Sequence, residues 1–316
     1  MLLSNPKTWD RAETRSEAAP CWTEATHGTA MPASATEAGV ELAFEEQIGA
    51  MWCRFRFAGR PNFSAPLLGA LRSFREGLRA EPEGRVRYVV YGSTEPGVFN
   101  LGGDLALFCR AIRLRDRAAL EAYATACIDE CWANHTSLSL PLLTIALVQG
   151  NALGGGFEAA LSSNMIVAER SARFGLPEVM FNLFPGMGAF SFLSRRITPA
   201  LAERMITGGR TYTAEELHEM GIVDVLAEDG CGEDAVRDFI ARNDRRHASL
   251  RAIHQARRRV NPLTYSELAD IVGLWVDTAM GLGEQDLRTM ERLVSAQDRR
   301  QSRQTRAIPQ SLRAAA

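Results

Sequence analysis

Two glutamates and three glycines hold the residue types and spacing that can do acid–base chemistry in this chain. In NALGGGFEAALSS, Glu158 follows Gly155 by three residues; in FGLPE, Glu178 follows a Gly-Leu-Pro turn. Gly155 stands where a buried strand gives way to a helix, whose first N–H groups have no partner within the helix and whose dipole favours negative charge. Without a side chain there, a substrate oxygen can approach the backbone. FNLGGDL repeats the device at Gly102 and Gly103, with Asp104 placed to cap the next helix. The N–H groups of Gly103 and Gly155, converging on one carbonyl oxygen, would form an oxyanion hole; losing one such donor typically costs about 3 kcal/mol of transition-state stabilisation. Two carboxyls beside it suit proton removal and return, provided they hold different protonation states. The residues alone do not say which is acid and which is base.

Taken singly, each motif has a plainer reading. The glycines are ordinary turn residues, Glu158 is an acid in a first helical turn where capping favours one, and Glu178 is a surface glutamate. Their joint occurrence points to a site.

The elements that must position these residues alternate in type. WCRFRF at 52–57 alternates apolar and charged residues as a half-exposed strand and is the expected start of order. From Pro66 to Ala80 the apolar residues recur at three and four, predicting an amphipathic helix. VRYVVYG, LLTIALVQG and NMIVAE read as buried strands, the stretch over about 104–134 as one long helix, and the segments near 187–195, 199–207 and 213–220 as shorter helices. IVDVL closes the β portion and the last third is helical. Strands alternating with helices imply an α/β fold with parallel strands.

Composition narrows the function classes. With 316 residues, 46% of them hydrophobic, the chain can bury a large core, and a net charge of -2 gives no push toward nucleic acid or an anionic membrane. No apolar run approaches the ~20 residues of a membrane span, and the N-terminus lacks a basic lead with an apolar run, so a cytoplasmic location is expected. The six cysteines follow no metal or redox spacing and read as reduced core residues. The five histidines show no metal-ligand spacing, and no metal or other cofactor is expected. Arg110, Arg113, Arg115 and Arg117 read either as a solvated helix face or as a patch for an acidic partner.

The order NLGGD, ALGGGFEAAL, FGLPE and FPGMG resembles the crotonase (enoyl-CoA hydratase/isomerase) superfamily over about residues 45–300. Within it, FNLGGDLALFCR, ALVQGNALGGGFEAALS, GLPEV, LFPGMGAFSFL and GLWVDTAM resemble the diffusible signal factor synthases, which make cis-2-unsaturated fatty-acid signals. The resemblance implies a spiral of ββα units over 41–230 and a helical C-terminal region for trimerisation and the acyl pocket over 231–300; residues 1–40, rich in Ala, Thr, Ser, Glu and Pro with no apolar period, read as a disordered extension, and RRQSRQTR leads into a frayed tail over 301–316. It implies oxyanion N–H groups at Gly103 and Gly155 and acid–base carboxyls at Glu158 and Glu178; an acyl tail also needs an apolar slot, for which Leu153, Met187, Trp275 and Leu293 are the candidates, with Gly102 beside the substrate and core packing as the plainer reading of the four. The implied activity is dehydration of a 3-hydroxyacyl-[acyl carrier protein] and hydrolysis of the thioester, in a homotrimer or hexamer. A receiver domain of a cognate sensor kinase is an implied partner. A general enoyl-CoA hydratase/isomerase or acyl-CoA hydrolase would use the same residues, and a non-catalytic acyl-binding protein is the alternative from another class.

Overall fold

A computed structural model describes residues 39–307. In chain order its elements are β1 (Gly39–Glu45), β2 (Ala50–Arg56), α1 (Ala65–Leu78), β3 (Tyr88–Ser93), β4 (Gly97–Asn100), α2 (Leu105–Arg113), α3 (Arg117–His135), β5 (Leu143–Val148), β6 (Gly150–Leu153), α4 (Gly155–Ser162), β7 (Met165–Glu169) and β8 (Arg173–Gly175). They continue as α5 (Ala189–Leu193), α6 (Pro199–Gly208), β9 (Thr211–Thr213), α7 (Ala214–Glu219), β10 (Val225–Ala227), α8 (Gly232–Asn243), α9 (His247–Val260), α10 (Tyr265–Met280) and α11 (Glu284–Ala307). A six-stranded sheet has the order β1-β2-β3-β5-β7-β10, and a four-stranded one β4-β6-β8-β9. The fold is the α/β arrangement expected.

Each turn of the chain hands one strand to each sheet: β3 then β4, β5 then β6, β7 then β8. In the large sheet the strands from β2 to β10 run parallel, and β5 (Leu143–Val148) is buried at every position, which explains its apolar sequence, broken only by Thr144. In the small sheet β4, β6 and β8 are parallel neighbours, with Val98 opposite Asn151 and Leu153 opposite Gly175. Their C-terminal ends therefore release three adjacent loops: Leu101–Asp104 into α2, Gly154 into α4, and Leu176 into a 3-10 turn over Pro177–Phe181. Crevices outside the carboxyl ends of parallel strands are where α/β folds bind ligands.

Order begins earlier than the sequence predicts. GVELAFE forms β1, antiparallel to β2, with Gly39 opposite Arg56. The single helix expected over 104–134 is two: the chain breaks at Leu114–Asp116, Arg115 takes a positive φ of 55°, and the Asp116 side chain caps α3 by accepting from Ala119 N. β4 and β6, four residues each, lie inside segments that read as loops. The last helix continues to Ala307, past the boundary expected at 300.

Behind the site, a buried polar cluster ties α4 to β5. Asn164 Oδ1 accepts from Thr144 N at 2.8 Å and from the hydroxyls of Thr144 and Ser137 at 3.1 and 3.0 Å. Asn164→Ala leaves three buried donors without this acceptor. It should lower stability by about 1–3 kcal/mol, a fall of several degrees in Tm on thermal unfolding; an unchanged Tm would mean the cluster is not structurally important.

Candidate active site

The three loops leaving β4, β6 and β8 surround a cavity of about 210 Å3 that opens to solvent. Gly103, Gly155, Glu158, Glu178, Leu153, Met187, Trp275 and Leu293 all line it. Gly102 lies behind them: a methyl group there would stand 3.0 Å from Gly155 N, so the two glycine loops are in direct contact. Its φ of +98° is one that side-chain-bearing residues rarely adopt.

The N–H groups of Gly102 and Asp104 are occupied, and this fixes the one between them. Gly102 N donates to Asn100 Oδ1 at 2.8 Å, and Asp104 N donates to the Tyr123 hydroxyl at 3.0 Å. That hydroxyl donates in turn to Phe63 O at 2.6 Å, while Phe63 N donates to Gly102 O at 2.9 Å. Gly103 N has no hydrogen-bond partner among the described residues, and neither has Gly155 N at the start of α4. Two free donors thus stand on touching loops, as an oxyanion hole requires.

Glu158 is 1% exposed, and its Oε1 accepts from Met187 N at 2.8 Å and Ala189 N at 2.9 Å. Gly188, between those donors, takes a φ of +112°, and this turn of FPGMG brings both N–H groups round to the carboxylate. Burial raises the Glu158 pKa despite these donors, which oppose the shift. Glu178 has a partly exposed stem but a buried Oε2 that finds no hydrogen-bond partner among the described residues. Its pKa is also raised, first by burial and then by the charge of Glu158. A methyl group on Gly154 would stand 2.5 Å from Glu178 Oε1, and Gly154 has φ +52°, so only glycine fits beneath this carboxyl. The environments are unequal: Glu158 Oε1 has two backbone donors, and Glu178 Oε2 has none.

Trp275 of α10 packs edge-on to Phe108 at 5.0 Å between ring centroids, and Leu293 of α11 lies beside it along the cavity wall. A methyl group on Gly186 would stand 2.5 Å from the indole, so FPGMG also seats the tryptophan. The apolar walls lower the local dielectric and strengthen each electrostatic contact beside them.

Asn100, Phe108, Tyr123 and Cys127 contribute to the site without having been singled out from sequence. Asn100, beside the first glycine loop, offered a local cue as a polar residue ending an apolar run; Tyr123, nineteen residues beyond Asp104 on α3, offered none. The arginine patch resolves as a helix face bound mostly to its own chain. Arg113 pairs with Glu284 and Glu291, Arg117 with Glu121 and Asp277, and Arg115 donates to Met280 O. Among the described residues no cluster of His, Cys, Asp or Glu could hold a metal, and Cys53, Cys109, Cys127 and Cys131 are buried thiols. No helix among them is long and apolar enough to cross a membrane.

Residues 66–264 match the family described as enoyl-CoA hydratase/isomerase. The chain belongs to the enoyl-CoA hydratase/isomerase family. Similar relatives include the 2,3-dehydroadipyl-CoA hydratase of Escherichia coli (strain K12), 34% identical over 52% of this chain and 66% of that protein. Another is the mitochondrial methylglutaconyl-CoA hydratase of Rattus norvegicus, 31% identical over 58% of this chain and 55% of that one. The alignments thus span between about half and two thirds of these hydratases' length. Among solved structures, an enoyl-CoA hydratase from Bacillus anthracis matches 81% of this chain and 96% of its own with a TM-score of 0.62 at 19% identity. Pseudomonas aeruginosa DspI matches 73% and 91% with a TM-score of 0.58 at 22% identity. These two establish likeness of fold.

Two tests follow from the geometry. Tyr123→Phe removes the hydroxyl that holds Asp104 N and Phe63 O; kcat should fall about tenfold or more, with KM changing little, because the loss acts on orientation of the Gly103 donor. The two site carboxyls have folded pKa values above the unfolded carboxylate value of about 4.3, so the stability they contribute is full below that value and is lost as pH rises through the raised values. Glu178→Gln should therefore have a Tm above that of the native protein at pH 8, by about 2–4 °C per kcal/mol relieved, and the gap should close toward pH 4. A gap independent of pH would contradict the assigned burial of this carboxyl.

Proposed function

We propose that the protein dehydrates a 3-hydroxyacyl-[acyl carrier protein] to the cis-2-enoyl thioester and then hydrolyses that thioester, releasing a cis-2-unsaturated fatty acid. The observation that carries the reading is the pair of unequal buried carboxyls facing two unpaired glycine N–H groups in one apolar cavity. Resemblance of the glycine loops and of the Trp275 helix to the diffusible signal factor synthases supports the choice of substrate.

The thioester oxygen accepts from Gly103 N and Gly155 N, which acidifies the α-proton. The Glu158 carboxylate removes that proton while the Glu178 carboxyl gives its own to the β-hydroxyl, which departs as water. Both groups have then exchanged states: Glu158 is protonated and Glu178 ionised. Glu178 is next the base that takes a proton from a water attacking the thioester carbon, the same two N–H groups hold the tetrahedral oxyanion, and Glu158 protonates the leaving thiolate. Both carboxyls return to their starting forms without a cofactor.

A homotrimer or hexamer is part of this proposal: α9 buries none of its residues within one chain and exposes Ile253 and Val260. The acyl carrier protein and a sensor kinase receiver domain are proposed partners, and the arginines of α2 and α3 are too fully paired to be the whole docking surface. A general hydratase on coenzyme A thioesters is the second reading, favoured by the named activities of the curated relatives.

Purified protein given 3-hydroxydodecanoyl-acyl carrier protein should release cis-2-dodecenoic acid, detected by mass spectrometry, with Glu158→Ala and Glu178→Ala each reducing the rate by about 100-fold or more. Rate against pH should be bell-shaped, since one carboxyl must be ionised and the other protonated. Hydration of crotonyl-CoA without any free acid would replace this reading with the general hydratase.

A further inference from the structure

At the C-terminal end of α4, away from the glycine loop at its start, lies a separate cavity of about 30 Å3. Arg195 and Arg196 from the segment after α5, Arg257 and Arg258 from α9, His135 at the end of α3 and Asn164 just before β7 line it, and no carboxylate does. We propose that this cavity binds a chloride ion, and that the ion fastens α9 to the body of the fold. The inference is independent of which thioester the enzyme takes.

Four guanidiniums meet there with only two carboxylates to balance them. Arg195 pairs with Glu267 of α10 at 2.8 Å, and Arg196, whose side chain is 5% exposed, lies 3.5 Å from Asp224. Arg257 and Arg258 have no ion pair among the described residues: Arg257 donates to Asn164 O at 3.4 Å, and Arg258 donates to His135 O at 2.8 Å and to the Ser137 hydroxyl at 3.2 Å. Two positive charges therefore remain beside the cavity without a counterion. Burial, and then the charges of Arg257 and Arg259, lower the pKa of Arg258, which shows the cost of crowding like charges. Burial and then the surrounding guanidiniums push the His135 pKa down to about 4, so its ring is neutral at pH 7 and can offer an N–H without adding a charge.

Donors are left over as well as charge. Arg195 Nε is buried without a hydrogen-bond partner among the described residues. Asn164 Oδ1 is taken by Thr144 and Ser137, and the Asn164 side-chain N–H groups on the opposite edge of the amide have no partner among the described residues. A cavity of this size admits about one water molecule. A chloride ion is of nearly that size, whereas a carboxylate or phosphate group is larger. Water could satisfy the donors but not the charges; chloride accepts from several N–H groups at once and neutralises part of the excess. Since α9 buries none of its residues within one chain, an ion shared by its two arginines and the pair after α5 supplies an attachment that packing does not.

Thermal unfolding of the full-length protein at pH 7, with chloride exchanged for gluconate at constant ionic strength, tests the site. Tm should rise saturably with chloride, by about 5 °C at a hundred times its Kd. Arg257→Gln and Arg258→Gln should each melt near the native value in gluconate and lose most of that rise. Arg257 makes one long hydrogen bond, so its variant decides the matter if Arg258→Gln does not fold. Crystals grown with bromide in place of chloride should show an anomalous peak among the four guanidiniums. A Tm that does not rise with chloride, or a rise retained in full by every folded variant, overturns the proposal; a bromide peak without the rise marks an adventitious ion only and overturns it equally.

Discussion

Holding two carboxyls out of water in one apolar cavity is the constraint on which the rest of this structure depends. Desolvation penalises the charged form of each, and a second charge nearby adds to the penalty. At Glu158 the cost is offset by two backbone N–H groups of the FPGMG turn, which require the left-handed backbone of Gly188. At Glu178 nothing offsets it on Oε2, and burial together with the charge of Glu158 raises the pKa of the carboxyl. The asymmetry needed for acid–base work thus arises from which loop turns toward which glutamate. Stability is given up for it, as is common at catalytic sites.

The small sheet makes this arrangement possible. Three short parallel strands of three or four residues lie side by side, so loops far apart in sequence emerge together at their C-terminal ends. Strands this short bury little by themselves; their function is registration. The glycines then let the loops touch, and Asn100 and Tyr123 use the neighbouring N–H groups, leaving the Gly103 donor with a direction and no competitor. The C-terminal helices close the cavity: Leu287 and Met290 of α11 are buried, and Cys109 of α2 reaches Leu287 O and Met290. The ion pairs from Arg113 and Arg117 to α10 and α11 are exposed, and pairs of that kind add little each, so apolar burial carries the closure.

Much of the large sheet was legible in the sequence, because strands buried on both faces are written as mostly apolar runs, as in Leu143–Val148 with Thr144 its one polar residue, and α1 shows an unmistakable helical period. The misreadings share a cause. β4 and β6 are too short and too glycine-rich to show a period, and β1 has mixed residues because only part of it is buried. The break between α2 and α3 depends on a positive φ at Arg115, a residue type that does not announce one. Tyr123 reaches the first loop from a helix nineteen residues away, and helical spacing makes it look like ordinary core.

By itself, the sequence determined the chemistry available: two carboxyls, glycines able to expose backbone N–H groups, and apolar residues for a cavity, since these depend on residue type and local turn geometry. Only the tertiary structure decided which N–H groups remain free, which carboxyl has backbone donors, and that arginines of α9 and of the segment after α5 share one cavity. Those properties depend on what lies within a few ångströms across sheets and helices, and a hydrogen-bond partner or a burial penalty is set by that neighbourhood rather than by position along the chain.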